Sequence, residues 1–85
     1  MPRVLVVDDE PAIRRVLRAY LERDGFDVAE AADGVAALAA VRTRRPDALL
    51  LDIGLPDLDG LEVMHRARQG YPDLPVLLVT ARAEE

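Results

Sequence analysis

The stretch Leu49-Leu50-Leu51-Asp52 runs three apolar residues directly into a carboxylate, and the loop sequence IGLPD follows it at residues 53–57. A short apolar run bounded by turn residues is typical of a strand buried on both faces of a sheet. An ionised carboxylate at the end of such a strand is costly unless a partner compensates for the water that it loses. Asp52 therefore requires polar partners from elsewhere in the chain.

Strand and helix patterns alternate along the sequence. Strand patterns occupy four stretches: residues 4–7, 26–31, 48–51 and 76–80. The second stretch alternates only weakly and is expected at an edge of the sheet, whereas the other three are expected to be buried. Helical patterns occupy the three intervals between them: residues 11–24, 34–45 and 60–70. The order βαβαβαβ predicts an α/β fold with a parallel sheet, right-handed crossovers and helices layered on its faces.

The pairs Asp33-Gly34 and Asp59-Gly60 precede the second and third helical patterns. An Asp-Gly pair alone is typical of a hairpin turn. The alanine-rich sequence at residues 35–41 instead favours a helix for which Asp33 is the N-cap. The second pair is expected to open its helix in the same way.

Composition limits the possible functions. The 85 residues form one small domain at most, predicted to span residues 1–85, and 51% hydrophobic with 32% charged residues is typical of a soluble globular protein. The apolar runs are too short to span a membrane and no leader pattern precedes the first strand, so a cytoplasmic location is expected. The absence of cysteine excludes disulfides and thiolate metal sites, and the net charge of −5 argues against direct nucleic-acid binding.

Polar residues follow three of the predicted strands where each strand ends. The segment Asp8-Asp9-Glu10 follows the first strand, Asp52 the third and Thr80 the fourth, and the carboxyl ends of parallel strands meet at one edge of a sheet. Gathered carboxylates repel one another, and Mg²⁺ is the simplest compensation because it binds carboxylates, water and phosphate oxygens. This set predicts phosphate chemistry with a carboxylate nucleophile and a donating hydroxyl.

Each of these residues also has a simpler interpretation. Asp8 or Glu10 alone is equally well explained as a helix N-cap, and Thr80 alone as an ordinary β-branched strand residue. Asp52 alone could be a turn residue at the end of a strand. The joint placement of all four favours the functional interpretation of Asp52.

Three segments carry these groups: VVDDE at residues 6–10, LDIGLPDLDG at residues 51–60 and VTA at residues 79–81. In order and spacing they resemble the acidic pair, the phosphoacceptor segment and the switch threonine of receiver domains in bacterial two-component response regulators. The resemblance covers the whole chain. It implies a three-layer flavodoxin-like fold and a phosphorelay signalling module that controls an output domain and is not an enzyme.

The resemblance implies that Asp52 accepts a phosphoryl group from a histidine kinase in a Mg²⁺-dependent reaction. Asp9 would bind Mg²⁺ directly and Asp8 through water. The backbone carbonyl of Gly54, two residues beyond the acceptor, would be a further Mg²⁺ ligand, and Asp52 itself would complete the metal site.

Four other matching residues would shape the surroundings of the phosphoryl group. The hydroxyl of Thr80 would contact its oxygens, and the small side chain of Ala81 would leave room for them. Pro56 and Gly60 would shape the loop that follows the acceptor.

The chain also departs from the family pattern. A full receiver has five βα units, and its fifth strand supplies a lysine that pairs with the phosphoryl group, but none of the eleven cationic residues here is lysine. The expected fold is therefore an incomplete (βα)4-type fragment, truncated after the fourth strand. It would expose apolar side chains of the first and third strands and leave the fourth strand as an edge, which predicts a homodimer or a domain-swapped oligomer.

Three alternative functions remain open. The absence of lysine favours a fragment that cannot be phosphorylated and acts only as a structural or dimerising module. An aspartate-nucleophile phosphatase is disfavoured because such enzymes usually place a second acid where Gly54 stands. A flavodoxin-like cofactor site is disfavoured because the acidic residues 8–10 would repel a phosphate.

Overall fold

Residues 1–79 are the part of the chain that the computed structural model describes, and they form a parallel sheet with helices on both faces. Its elements alternate as predicted: β1 Arg3–Val7, α1 Pro11–Arg23, β2 Asp27–Ala31, α2 Gly34–Arg44, β3 Ala48–Asp52, α3 Gly60–Gly70 and β4 Val76–Val79. Thr80 and Ala81 lie outside the described residues, so their predicted roles stay predictions.

The four strands lie in the order β2-β1-β3-β4. After β1 the chain places β2 on one side and then crosses over to place β3 on the other, so the direction of winding reverses between β1 and β3. Val7 pairs with Leu51 across this boundary, and the carboxyl ends of the two strands therefore lie side by side. In open α/β sheets, ligands bind at such a reversal.

Two apolar clusters hold the layers together. The larger cluster joins α2 and α3 to the sheet and takes four side chains from its central strands: Leu5, Val7, Leu49 and Leu51. The smaller cluster joins α1 to the opposite face through three strand residues: Val4, Val6 and Val28. Successive residues of a strand point to opposite faces, so β1 is buried on both sides. The predicted three-layer flavodoxin-like architecture is confirmed.

Asp33 caps α2. Its Oδ1 accepts a hydrogen bond of 2.8 Å from the amide of Ala36, in the N-cap geometry. The helical interpretation of Asp33-Gly34 is thus confirmed and the hairpin alternative is wrong. Asp59 caps α3 in a similar way by accepting a 3.0 Å bond from the amide of Leu61.

The prediction that the fourth strand is buried is wrong. Leu77 is 61% exposed, Leu78 38% and Val79 37%. The reason is that β4 lies at the end of the strand order in residues 1–79, while α1 packs over β1 and β2. The same position of α1 keeps Val4 and Val6 of β1 buried, while Ala48 and Leu50 of β3 are half-buried. The apolar exposure expected on β1 and β3 therefore falls mainly on β4.

Within residues 1–79, no helix combines the length and the hydropathy that crossing a bilayer requires.

Candidate functional site

Three carboxylates meet at the carboxyl ends of β1 and β3. One oxygen from each of Asp8, Asp9 and Asp52 can be chosen so that all three lie within 4.8 Å of one another. Asp8 is buried, Asp52 is half-buried and Asp9 is exposed. The cluster follows directly from the pairing of Val7 with Leu51, because each strand runs into its acidic residue immediately after this pair.

Asp8 is the most constrained of the three carboxylates. It is only 6% exposed, and its Oδ1 accepts a 2.9 Å hydrogen bond from the amide of Glu10. Burial raises the pKa of Asp8 above its usual value, and the charges of Asp52 and Asp9 raise it further, against the opposing effects of the Glu10 amide and Arg14. The ionised form of Asp8 is therefore poorly compensated by its protein surroundings.

Arg14, whose charge lowers the pKa of Asp8, directs its side-chain hydrogen bonds to groups other than the three carboxylates. Arg14 donates 2.7 Å to the backbone carbonyl of Asp8 and 2.9 Å to the carboxylate of Glu30, with which it forms an ion pair. Within residues 1–79, none of the three clustered carboxylates takes part in an ion pair. In this part of the chain, the cluster thus presents several hard oxygen atoms that no ion pair neutralises.

This donor set fits a Mg²⁺ ion. Mg²⁺ prefers carboxylate and carbonyl oxygens and keeps several of its waters. Because Asp9 is exposed and Asp52 is half-buried, a hydrated ion can reach them, and the buried carboxylate of Asp8 adds a third negative charge beside them. Residues 8, 9 and 52 can therefore hold the metal that the sequence predicts.

The loop after Asp52 is held close to the end of β3. The amide of Gly54 donates 3.1 Å to Oδ1 of Asp52, and the amide of Gly60 donates 3.3 Å to the carbonyl of Ile53. A Cβ at Gly60 would lie 2.6 Å from Cα of Ile53 and 2.9 Å from the carbonyl oxygen of Asp52. Only glycine lets α3 begin this near to the end of β3.

Asp57 has a role that the sequence did not reveal. Its carboxylate accepts hydrogen bonds from the amides of Gly34 at 2.7 Å, Val35 at 3.0 Å and Leu58 at 2.8 Å. The amides of Gly34 and Val35 are the main reason that the pKa of Asp57 lies below its usual range. The sequence shows that Asp57 follows a proline in a loop, but it gives no signal for hydrogen bonds to residues 22 and 23 positions away.

The simpler interpretations of the acidic segment 8–10 are not supported. Glu10 occupies the N-cap position of α1, but its side chain makes no capping hydrogen bond. Asp8 accepts from the Glu10 amide, which lies before the helix, so Asp8 is not a helix cap either. Their placement leaves Asp8 with the carboxylate cluster and Glu10 exposed beside it.

Replacing Asp8 by Asn is expected to stabilise the fold in the absence of divalent metal. Asn keeps an oxygen that can accept from the Glu10 amide, but it removes a buried negative charge that lies next to two others. Removing this repulsion is expected to raise the free energy of unfolding by on the order of 1 to 3 kcal/mol. The pKa of Asp8 is higher in the folded than in the unfolded chain, so ionised Asp8 destabilises the fold at pH values above its unfolded-state pKa. The gain in stability from Asp8→Asn should therefore appear at pH 7 and fade at low pH. Thermal unfolding in EDTA at both pH values measures it, and a lower midpoint for Asp8→Asn at pH 7 would contradict the repulsion.

Comparison with known sequences gives a consistent result. The family model described as the response regulator receiver domain matches residues 4–85. The chain is 48% identical over 79 residues to the probable transcriptional regulatory protein TcrX of Mycobacterium tuberculosis, covering 93% of this chain and 34% of TcrX. The chain thus spans about a third of the length of the curated relatives that it matches.

Comparison with solved structures gives the same family. The response regulator TrrA of Thermotoga maritima, solved in complex with Mg²⁺ and BeF, superposes with a TM-score of 0.92 at 38% identity and covers 98% of this chain and 72% of TrrA. TrrA in its complex with the histidine kinase ThkA superposes with a TM-score of 0.90 at the same identity, covering 99% of this chain and 72% of TrrA.

Proposed function

Because the chain belongs to the family of response-regulator receiver domains, we propose that it accepts a phosphoryl group on Asp52 from a histidine kinase in a Mg²⁺-dependent phosphorelay. The observation that carries the proposal is the meeting of Asp8, Asp9 and Asp52 at the reversal between β1 and β3. The complex of TrrA with Mg²⁺ and BeF supports it, since BeF is a chemical mimic of a phosphoryl group.

The proposed metal site uses four residues. Asp9 and Asp52 would bind Mg²⁺ directly, Asp8 would bind it through water, and Gly54 would contribute its backbone carbonyl. Bound Mg²⁺ would neutralise the carboxylates and the charge that develops on the transferred group. The lack of any ion pair to the three carboxylates in residues 1–79 supports this assignment.

In the proposed reaction, a carboxylate oxygen of Asp52 attacks the phosphorus of a phosphohistidine. A P–O bond forms as the P–N bond breaks, the histidine leaves with its electron pair, and the product is an acyl phosphate on Asp52. The hydroxyl of Thr80 would donate a hydrogen bond to a phosphoryl oxygen, and the small side chain of Ala81 would leave space for the phosphoryl group. The kinase–TrrA complex supports a histidine kinase as the donor.

The proposal extends to the cellular setting. We propose that the chain is not itself an enzyme but passes its state to an output domain, for which the name of the TcrX relative gives support. A histidine kinase draws its phosphoryl group from ATP, so we place the chain in the cytoplasm. Its net charge of −5 supports the proposal that this chain does not bind nucleic acid directly.

The test is to incubate the chain with Mg²⁺ and a small phosphodonor such as acetyl phosphate and to measure its intact mass. We expect a gain of one phosphoryl group in Mg²⁺ and none in EDTA. The alternative function, a structural module that cannot be phosphorylated, is favoured by the absence of lysine from the 85 residues. Mg²⁺ binding without any gain in mass would support that alternative and contradict ours.

We propose in addition that the exposed side of the sheet pairs with a second copy of the chain. An open apolar groove of about 290 Å³ runs between α1 and β4 and is lined mainly by Val4, Leu21, Phe26, Leu50, Pro75 and Leu77. β4 lies at the end of the strand order in residues 1–79, and an edge strand with apolar side chains is a template for pairing. A two-fold dimer would cover the groove and the edge together.

Leu77→Lys is expected to shift the protein from dimer to monomer, because a lysine charge would be placed in the proposed apolar interface. Val16→Lys is the matched control, since Val16 is 52% exposed but lies on α1 outside the groove. Size-exclusion chromatography with light scattering at micromolar concentration measures the mass of each. A cooperatively folded monomer in the unsubstituted chain would contradict the dimer.

A further inference from the structure

The loop between β3 and α3, residues 53–59, is fixed at both ends. At its start, Gly54 donates to Oδ1 of Asp52, and Ile53 accepts from the amide of Gly60. Near its far end, Asp57 binds the first two amides of α2, which belong to Gly34 and Val35. The loop therefore spans from the acceptor strand to a helix that is packed against the sheet.

The contact between this loop and α2 is close as well as polar. A Cβ at Gly34 would lie 2.8 Å from Cβ of Leu58 and 3.0 Å from Cγ2 of Val63. Gly34 is therefore needed for the approach, and it is buried although it lies at the start of a helix. The same carboxylate oxygen that binds Gly34 also accepts from the amide of Leu58, which fixes the direction of the Asp57 side chain.

Helix α2 is a firm support for the loop. Ala37 and Val41 on its inner face are 0% and 2% exposed and belong to the larger apolar cluster. Asp33 already satisfies the amide of Ala36, so Asp57 supplies the acceptor for two of the remaining unpaired amides at the helix start. Two aspartates thus bind the same helix terminus, but only Asp57 belongs to the loop that contains Gly54.

We propose that Asp57 is a positioning residue for the metal site. Through its hydrogen bonds to α2 it holds the loop so that the backbone of Gly54 stays beside Asp52, where the carbonyl can bind Mg²⁺. This inference rests on the proposed function, because it concerns the same Mg²⁺ site. It assigns to Asp57 no contact with the metal or with the phosphoryl group.

The test compares Asp57→Ala with Asp33→Ala by isothermal titration of Mg²⁺ at constant ionic strength. Both substitutions remove one negative charge and weaken the start of α2, where Asp57 accepts two amide hydrogen bonds and Asp33 accepts one, so an effect of helix fraying or of long-range charge should appear in both variants. We expect Asp57→Ala to weaken Mg²⁺ binding about tenfold or more, as loss of a group supporting a metal ligand does. Asp33→Ala should change it by less than about threefold, since a remote charge is screened by salt. Asp57→Asn, which keeps one acceptor oxygen for Gly34, should restore part of the affinity.

Amide hydrogen exchange provides a second measurement. In Asp57→Ala, exchange should accelerate at Gly34, Val35 and Gly54, whereas in Asp33→Ala it should accelerate chiefly at Ala36. Equal weakening of Mg²⁺ binding by the two alanine substitutions, or unchanged exchange at Gly54 in Asp57→Ala, would overturn this inference but not the proposed function. Absence of Mg²⁺ binding in the unsubstituted chain would overturn the proposed function and this inference with it.

Discussion

Asp52→Asn is expected to abolish phosphorylation of the chain by a small phosphodonor and Mg²⁺. The amide removes the anionic oxygen that attacks phosphorus, and it removes one of the three charges that attract the metal. The fold should persist, because asparagine keeps an oxygen that can accept the 3.1 Å bond from the amide of Gly54. Loss of the mass gain in a folded protein would therefore report on the chemistry of residue 52.

Asp59→Asn is the matched control for this prediction. Asp59 is an exposed carboxylate seven positions away in the same segment, and asparagine is an equally good N-cap for α3. We expect Asp59→Asn to gain one phosphoryl group as the unsubstituted chain does. A persistent mass gain in Asp52→Asn would show that another residue is the acceptor and would contradict the assignment.

Gly60→Ala is expected to lower stability more than the same substitution at Gly34 or Gly70. The new Cβ would lie 2.6 Å from Cα of Ile53, so backbone rather than a flexible side chain would have to move. Overpacking of this kind costs about 1 to 3 kcal/mol and sometimes more. In a domain of this size each kcal/mol lowers the unfolding midpoint by about 4 to 8 °C. Displacement of Ile53 should also weaken Mg²⁺ binding.

Gly70→Ala is the control for Gly60→Ala. Both glycines belong to α3, but a Cβ at Gly70 would meet no heavy atom within 4 Å. Its unfolding midpoint should stay unchanged or rise slightly, because alanine is a better helix former than glycine by up to about 1 kcal/mol. Similar midpoints for the two variants, measured by thermal circular dichroism, would contradict the close approach at Gly60.

The sequence was sufficient to predict the elements and the meeting of the carboxylates. Apolar runs fix β1 and β3 because a buried strand tolerates few polar residues, and the parallel order then brings their carboxyl ends together. Asp8 and Asp52 could be placed at one edge for this reason alone. The distances and the burial of Asp8 required the structure, because they depend on how α1 covers β1.

Two features could not be predicted, and both depend on contacts between distant segments. The apolar run of β4 resembles that of β3, but the exposure of Leu77 depends on which helices cover the strand, and periodicity does not carry this information. The pairing of Asp57 with Gly34 joins the loop after β3 to the first residue of α2, 23 positions away, and no local pattern in the sequence shows that these two segments meet.

The most direct test of the account is to identify the phosphorylated residue. The chain is treated with acetyl phosphate in Mg²⁺ or in EDTA, reduced with borohydride to convert an acyl phosphate into homoserine, digested, and analysed by tandem mass spectrometry. We expect conversion at residue 52 in Mg²⁺ and none in EDTA. Conversion at residue 8 or 9 instead, equal conversion in EDTA, or no conversion at all while Mg²⁺ is bound would contradict it.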